Sequence, residues 1–266
     1  MTAPAPAAPA FAPPTTPPQA VVDALRANAA GECDAEVLNA SARYLAERGI
    51  TPDLIASRGY RPATSTDNAA LAAGFGVKAE TLHEAALLYI PRAVLGQDGQ
   101  AHALDLPQVR RRPGVACASW KPDMKFRSPH GDGSVGMIHP DNAAAVANTE
   151  APLILTEGVV KADAILAAHG DMASLGVVAY PGVSIPAVRR GDRIGPRPGD
   201  FLATLRDVLD GRRVFLAFDG DWRTNANVAV ALDNTAALLR AAGSRVSILD
   251  IPGNAGIDDY LAGASA

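Results

Sequence analysis

LILTEG (residues 153–158) and VFLAFDGD (residues 214–221) decide the fold of this chain. Each is a short apolar run that stops on an acid followed by glycine. Strands apolar on both faces belong to parallel sheets covered on both sides. The segments around them fit that reading. Lys161 to His169 has helical spacing, with Ala162, Ile165, Leu166 and His169 on one face and Gly170 as its stop. Ala173 to Tyr180 reads as a second strand ending at Pro181-Gly182, and Phe201 to Leu209 as a helix. Asn227 to Ala242 is a helix burying Val228, Ala231, Leu232, Thr235, Leu238 and Leu239, with Gly243 as its stop; Arg245 to Ile251 is a last strand. Strand and helix alternate, so the expected class is α/β with a parallel sheet.

The texture before Asn148–Pro152 is different. The first twenty residues are Ala/Pro-rich and uncharged, which excludes a secretory signal and predicts a disordered tail over 1–20. Helices are expected from Val21, around Val37 to Leu45, and from Thr51-Pro52, where Thr caps and Pro takes the first turn. RYLAERGITPDLIASRGY has the outline of a DNA-reading helix pair, but its second helix is short and not basic, so it reads as a packing hairpin. LLYIPRAVLGQDGQAHALDL reads as two extended runs about Asp98-Gly99. The expected organisation is therefore a tail (1–20), a small α+β module (21–150) and an α/β domain (151–266).

Of the 266 residues, 48% are hydrophobic and 20% charged, enough for a real core. A net charge of −4 argues against coating nucleic acid by charge alone. Yet Asp105 to Asp132 carries six Lys/Arg against three Asp, with Trp120 and Phe126 among them. Arg110, Lys125 and Arg127 are the candidate phosphate contacts there, and the two aromatic rings are candidates to stack on unpaired bases. A second basic group (Arg189, Arg190, Arg193, Arg197) follows the second strand. Two distant cysteines, Cys33 and Cys117, offer no disulfide framework, and a reducing cytoplasm is the expected setting. Cys117, His130 and His139 match no zinc spacing, so the histidines are expected to face solvent. No apolar run is long enough for a membrane.

In a parallel sheet, ligands bind beyond the carboxyl ends of the strands. Glu157, Asp219 and Asp221 are expected at that edge, and three converging carboxylates need a proton or a cation between them. Oxygen-only donors suit Mg²⁺ or Mn²⁺. Lys161 opens a helix, where the dipole favours anions, and reads either as a phosphate contact or as a solvated lysine. Asp258 and Asp259 read as caps of the last helix or as additions to the acidic pocket.

LILTEG, VFLAFDGD and GIDDYLAG together resemble the TOPRIM domain of bacterial-type primases, topoisomerases, overcoming-lysogenization-defect nucleases and RecR-type recombination proteins. A primase-like branch from replication proteins of phages, plasmids and integrated elements is the most similar. It matches in TEG-x-x-KAD (Thr156 to Asp163), Pro181-Gly182-Val183, the Asn-containing turn after Asp221, Lys125-Phe126-x-Ser-Pro and Gly256 to Leu261. The resemblance implies a Rossmann-like TOPRIM sheet, with Glu157 as general acid or base and Asp219 and Asp221 on the metal. It also implies accessory roles for Lys161 and Asp163. The expected activity is primase-like nucleotidyl transfer using Mg (or Mn), single-stranded nucleic acid and nucleoside triphosphates, beside a helicase or another replication protein. A metal-dependent nuclease and a non-catalytic nucleic-acid-binding or helicase-recruiting module are the alternatives. The chain has no zinc ribbon and no GxxxxGK[ST] loop.

Overall fold

The computed structural model describes residues 16–64, 66, 71–115, 124–129, 135–180, 187–190, 193–196 and 205–263. Trp120, Cys117, His130, Arg197 and residues 1–15 of the expected tail lie outside these residues. The chain is α/β. A helix begins at Gln19, two residues inside the expected tail, and runs to Ala27. Helices Ala35–Ala46 and Pro52–Arg58 follow. Asp34 caps the former by accepting from Glu36 N at 2.7 Å, and Thr51 caps the latter by accepting from Leu54 N at 3.3 Å.

Two sheets organise the rest. The smaller is antiparallel and contains β1 (Arg61–Pro62), β2 (Ala86–Ile90), β5 (Gln108–Arg111) and β6 (Phe126–Arg127) in that order. The larger has seven strands. Its parallel half is β13 (Arg245–Ile248), β12 (Arg213–Ala217), β8 (Leu153–Glu157) and β9 (Gly176–Tyr180). Beyond β9 it continues antiparallel through β7 (Met137–Ile138), β3 (Ala93–Leu95) and β4 (Ala101–Ala103). The expected sheet is therefore larger than the parallel part, and it runs across the expected boundary near 148–152. Strands β10 (Ala187–Arg190) and β11 (Arg193–Pro196) form a separate hairpin.

Alternation along the parallel strands divides two cores. Leu153, Leu155, Val214 and Leu216 pack on one side with helix Ala226–Ala241. Val177, Ala179 and Ala217 face the other, where helix Val159–His169 and the N-terminal helices lie. The first half of the chain is thus fixed to the face that carries Val159–His169.

That attachment is ionic as well as apolar. Arg58 and Asp163, both fully buried, form a bidentate pair, and the Tyr60 hydroxyl donates to the same carboxylate at 2.6 Å. Arg58 also donates to Ile138 O at 3.1 Å. A buried carboxylate needs this full set of donors. Asp163 is therefore a structural anchor, not a pocket residue. Arg212, also buried, donates to the carbonyls of Ala145, Val146 and Ala151 at 2.6–2.8 Å. It pins the segment between the halves; burial lowers it to about 10, so it stays charged at neutral pH.

His139 is 1% exposed, against the expectation of a solvent-facing ring. Its Nδ1 accepts from Asp141 N at 3.2 Å, which leaves Nε2 to carry the proton beside Ser57 Oγ at 3.4 Å. The ring is needed to cap the Pro140–Asn142 turn, and the capping geometry requires it neutral.

Asp163→Ala leaves Arg58 buried without its counter-ion and should cost about 3–5 kcal/mol in denaturant unfolding. Burial, then Arg58, hold His139 below its ordinary 6.5, with Asp163 and Asp141 opposing. Below that pH the unfolded chain takes up a proton that the folded one refuses, so stability falls as pH drops through the range just under 6.5. His139→Gln should flatten that slope in thermal melts between pH 7.5 and 5.5.

Candidate active site

Strands β8 and β12 run parallel with Ala217 opposite Thr156, so Glu157 and Asp219 leave the sheet at the same edge. The chain must turn sharply after each. Gly158 adopts φ +82 at the start of helix Val159–His169, a conformation that suits glycine. Gly220 sits under backbone: a Cβ there would lie 2.7 Å from Ile251 O.

Lys161 lies in the first turn of the helix, four residues from Glu157. Its Nζ donates to Asp219 Oδ1 at 2.5 Å and stands 3.6 Å from Glu157 Oε1, with the side chain 19% exposed. It is neither a solvated lysine nor an open anion contact, because two carboxylates already hold it. Burial lifts the Glu157 carboxyl above its ordinary range and Asp219 adds to the lift, while Lys161 opposes it. For Lys161 burial acts downward, but Glu157 and Asp219 outweigh it and raise the ammonium above its ordinary range.

Asp221 does not join this cluster on Lys161: it lies in the Gly220–Arg223 turn, where its Oδ2 accepts from Asn225 Nδ2 at 3.3 Å. Asp258 takes its place near the pair. Neither Asp258 nor Asp259 caps helix Ile257–Leu261, whose cap is Gly256 with no side-chain bond. Asp258 is 5% exposed, and its Oδ1 has no hydrogen-bond partner. A Cβ on Gly256 would lie 2.5 Å from that oxygen and 3.2 Å from Asp219 Oδ1, so the two oxygens flank one glycine.

The sheet edge forms one wall of a cleft of about 370 Å³, and the first half of the chain forms the other. Arg110, Lys125 and Phe126 line that second wall, because β5 pairs with β6 with Arg110 opposite Phe126. Arg127 is not among the lining residues, since neighbouring positions on a strand point to opposite faces. Its Nη2 donates to Phe75 O at 2.7 Å. Tyr44 and Arg48 also line the cleft, and the sequence reading had placed them in a packing hairpin. Arg48 stacks on Tyr44 at 4.0 Å, and Arg110 lies between Tyr44 and Phe126 at 4.8 and 4.9 Å. Arg48 Nε is also 3.0 Å from Asp258 Oδ2, an ion pair without hydrogen-bond alignment.

Among the described residues no three His, Cys, Asp or Glu side chains close around one point at metal-binding spacing. The oxygen donors nevertheless suit a small hard cation: Glu157 and Asp219 meet at one ammonium, and the unpartnered Asp258 Oδ1 lies beside them. Among the described residues no helix is long and apolar enough to cross a membrane.

Over 91% of its length the chain resembles the crystal structure of the Aquifex aeolicus primase (zinc-binding and RNA polymerase domains), with TM-score 0.56 and 16% identity. It spans 57% of that structure's chain. The primase fragment of the bacteriophage T7 primase-helicase protein aligns over 82% of this chain and 69% of its own, with TM-score 0.45 and 14% identity. By its likeness to the Aquifex aeolicus structure, the fold is primase-like. At the sequence level, the family described as "Domain of unknown function (DUF3854)" matches residues 143–266. No curated protein matches.

Arg48→Ala removes the partner of a buried carboxylate and uncovers the Tyr44 ring. It should lower unfolding free energy by about 2–3 kcal/mol, and adding Asp258→Asn should recover part of the loss, as read in a double-mutant cycle.

Proposed function

We propose that this chain is a TOPRIM-type nucleotidyltransferase of the primase kind, acting on nucleic acid in the replication of a mobile element. One observation carries the reading. A half-buried acidic pair, Glu157 and Asp219, faces Arg48, Arg110 and Lys125 across a single cleft. Such a cleft suits a polyphosphate: the basic wall takes up its charge, and the acidic wall lies where the reacting phosphate would sit.

Residues 151–266 supply the acids and 21–150 the basic wall, as a catalytic domain and a nucleic-acid-contacting module that share one sheet. Glu157, at the sheet edge beside Asp219, takes the proton from an attacking 3′-hydroxyl. Arg110 and Lys125 orient the nucleoside triphosphate or the template phosphates, and the Phe126 ring supports Arg110. A Mg²⁺ or Mn²⁺ ion would be held by Glu157, Asp219 and Asp258, and would supply neutralisation of phosphate charge. Asp221 would have to leave Asn225 to join them. The proposed partners are single-stranded nucleic acid, nucleoside triphosphates and a helicase or another replication protein, in the cytoplasm.

Incubation with single-stranded DNA, labelled nucleoside triphosphates and Mg²⁺ or Mn²⁺ tests the reading. Short labelled products are expected, with Asp219→Asn lowering their yield about 100-fold or more. Cleavage of the same DNA without synthesis would replace this reading with a nuclease. Unchanged DNA binding with neither reaction would replace it with a non-catalytic binding module.

A further inference from the structure

A lysine in the first turn of a helix sits at the wrong end of the helix dipole, where the axis already carries positive charge. Lys161 occupies that position in helix Val159–His169, and its side chain is largely buried. What holds it there is the acidic pair: Asp219 Oδ1 at 2.5 Å and Glu157 Oε1 at 3.6 Å. Its Cε is also 3.4 Å from where a Cβ on Gly256 would lie, the same point flanked by the unpartnered Asp258 Oδ1. The ammonium thus stands at the meeting point of the oxygens that the proposed function assigns to a divalent cation. An ammonium and a divalent cation cannot share that point, since like charges at such separations repel strongly in a partly buried setting.

We propose that Lys161 is the built-in counter-cation of this site: it holds Glu157 and Asp219 together in the metal-free protein and is displaced when a divalent ion enters between them. The inference rests on the reading that the acidic wall takes a divalent ion. Displacement is a cation exchange, with no covalent bond made or broken. The released ammonium moves toward the open cleft, where a polyphosphate replaces the carboxylates as its partner. Ion entry and phosphate neutralisation then become two consequences of one side-chain movement.

Two measurements test this on the full chain. Amine acylation of the wild-type protein, read by peptide mass spectrometry at matched ionic strength, should rise several-fold at Lys161 on addition of Mn²⁺. Exposed Lys78 serves as the unchanged reference. Mn²⁺ binding, read by water-proton relaxation, should be about tenfold tighter or more for Lys161→Met than for wild type, because a competing ion pair is gone. Asp219→Asn should bind weakly. Equal or weaker binding by Lys161→Met, with Asp219→Asn impaired and Lys161 acylation unmoved by Mn²⁺, overturns the exchange while leaving the divalent site standing. Absence of Mn²⁺ binding in every form overturns both readings. Should Lys161→Met fail to fold, the wild-type acylation result decides alone.

Discussion

The in-register parallel pairing of β8 with β12 is the constraint from which the site follows. Parallel pairing places the ends of both strands at one height, and the right-handed crossover between parallel strands sends the helix after β8 back across one face. Glu157 and Asp219 therefore emerge side by side, and Lys161 returns to them one helical turn later. Bringing two carboxylates so close is unfavourable unless something positive lies between them, and the fold supplies it from its own chain.

Buried arginines hold the other wall in place. Arg58 joins the third N-terminal helix to the helix after β8, Arg48 joins the second to the last helix of the chain, and Arg212 gathers the carbonyls of the connecting segment. A guanidinium suits such work because its planar fork satisfies several acceptors at once while remaining charged. The alternating pile of Arg48, Tyr44, Arg110 and Phe126 then presents positive charge to the cleft on a floor that is already packed. Little conformational freedom remains to be lost when an anion arrives.

Much of this was legible in the sequence wherever one periodicity ran long enough. The runs at 153–158 and 214–221 and the buried face of Ala226–Ala241 carry their pattern within themselves. The Ala93–Leu95 and Ala101–Ala103 pair was marked by the Asp98-Gly99 turn between its extended runs, but Met137–Ile138 is too short to show alternation, so the joining of that pair to the parallel sheet could not be read. Long-range charge pairing was also hidden. Asp163 and Asp258 have arginine partners 105 and 210 positions away, and nothing local marks which acid will meet which arginine. Glu157, Lys161 and Asp219 were each singled out by type and position. Their joining in one ion cluster depends on the register of β8 with β12, a long-range pairing that no local pattern announces.

The antiparallel continuation of the sheet separates two ideas of a unit. The family match begins at residue 143, after β3, β4 and β7 have already been laid down beside β9. Cut at that point, the matched segment would have a bare β9 edge, with the unpaired amides and carbonyls of a central strand opened to solvent or to another copy. What is recognisable as one segment of sequence thus omits three strands of the sheet it belongs to. The earlier residues serve as its missing flank as well as the opposite side of its cleft.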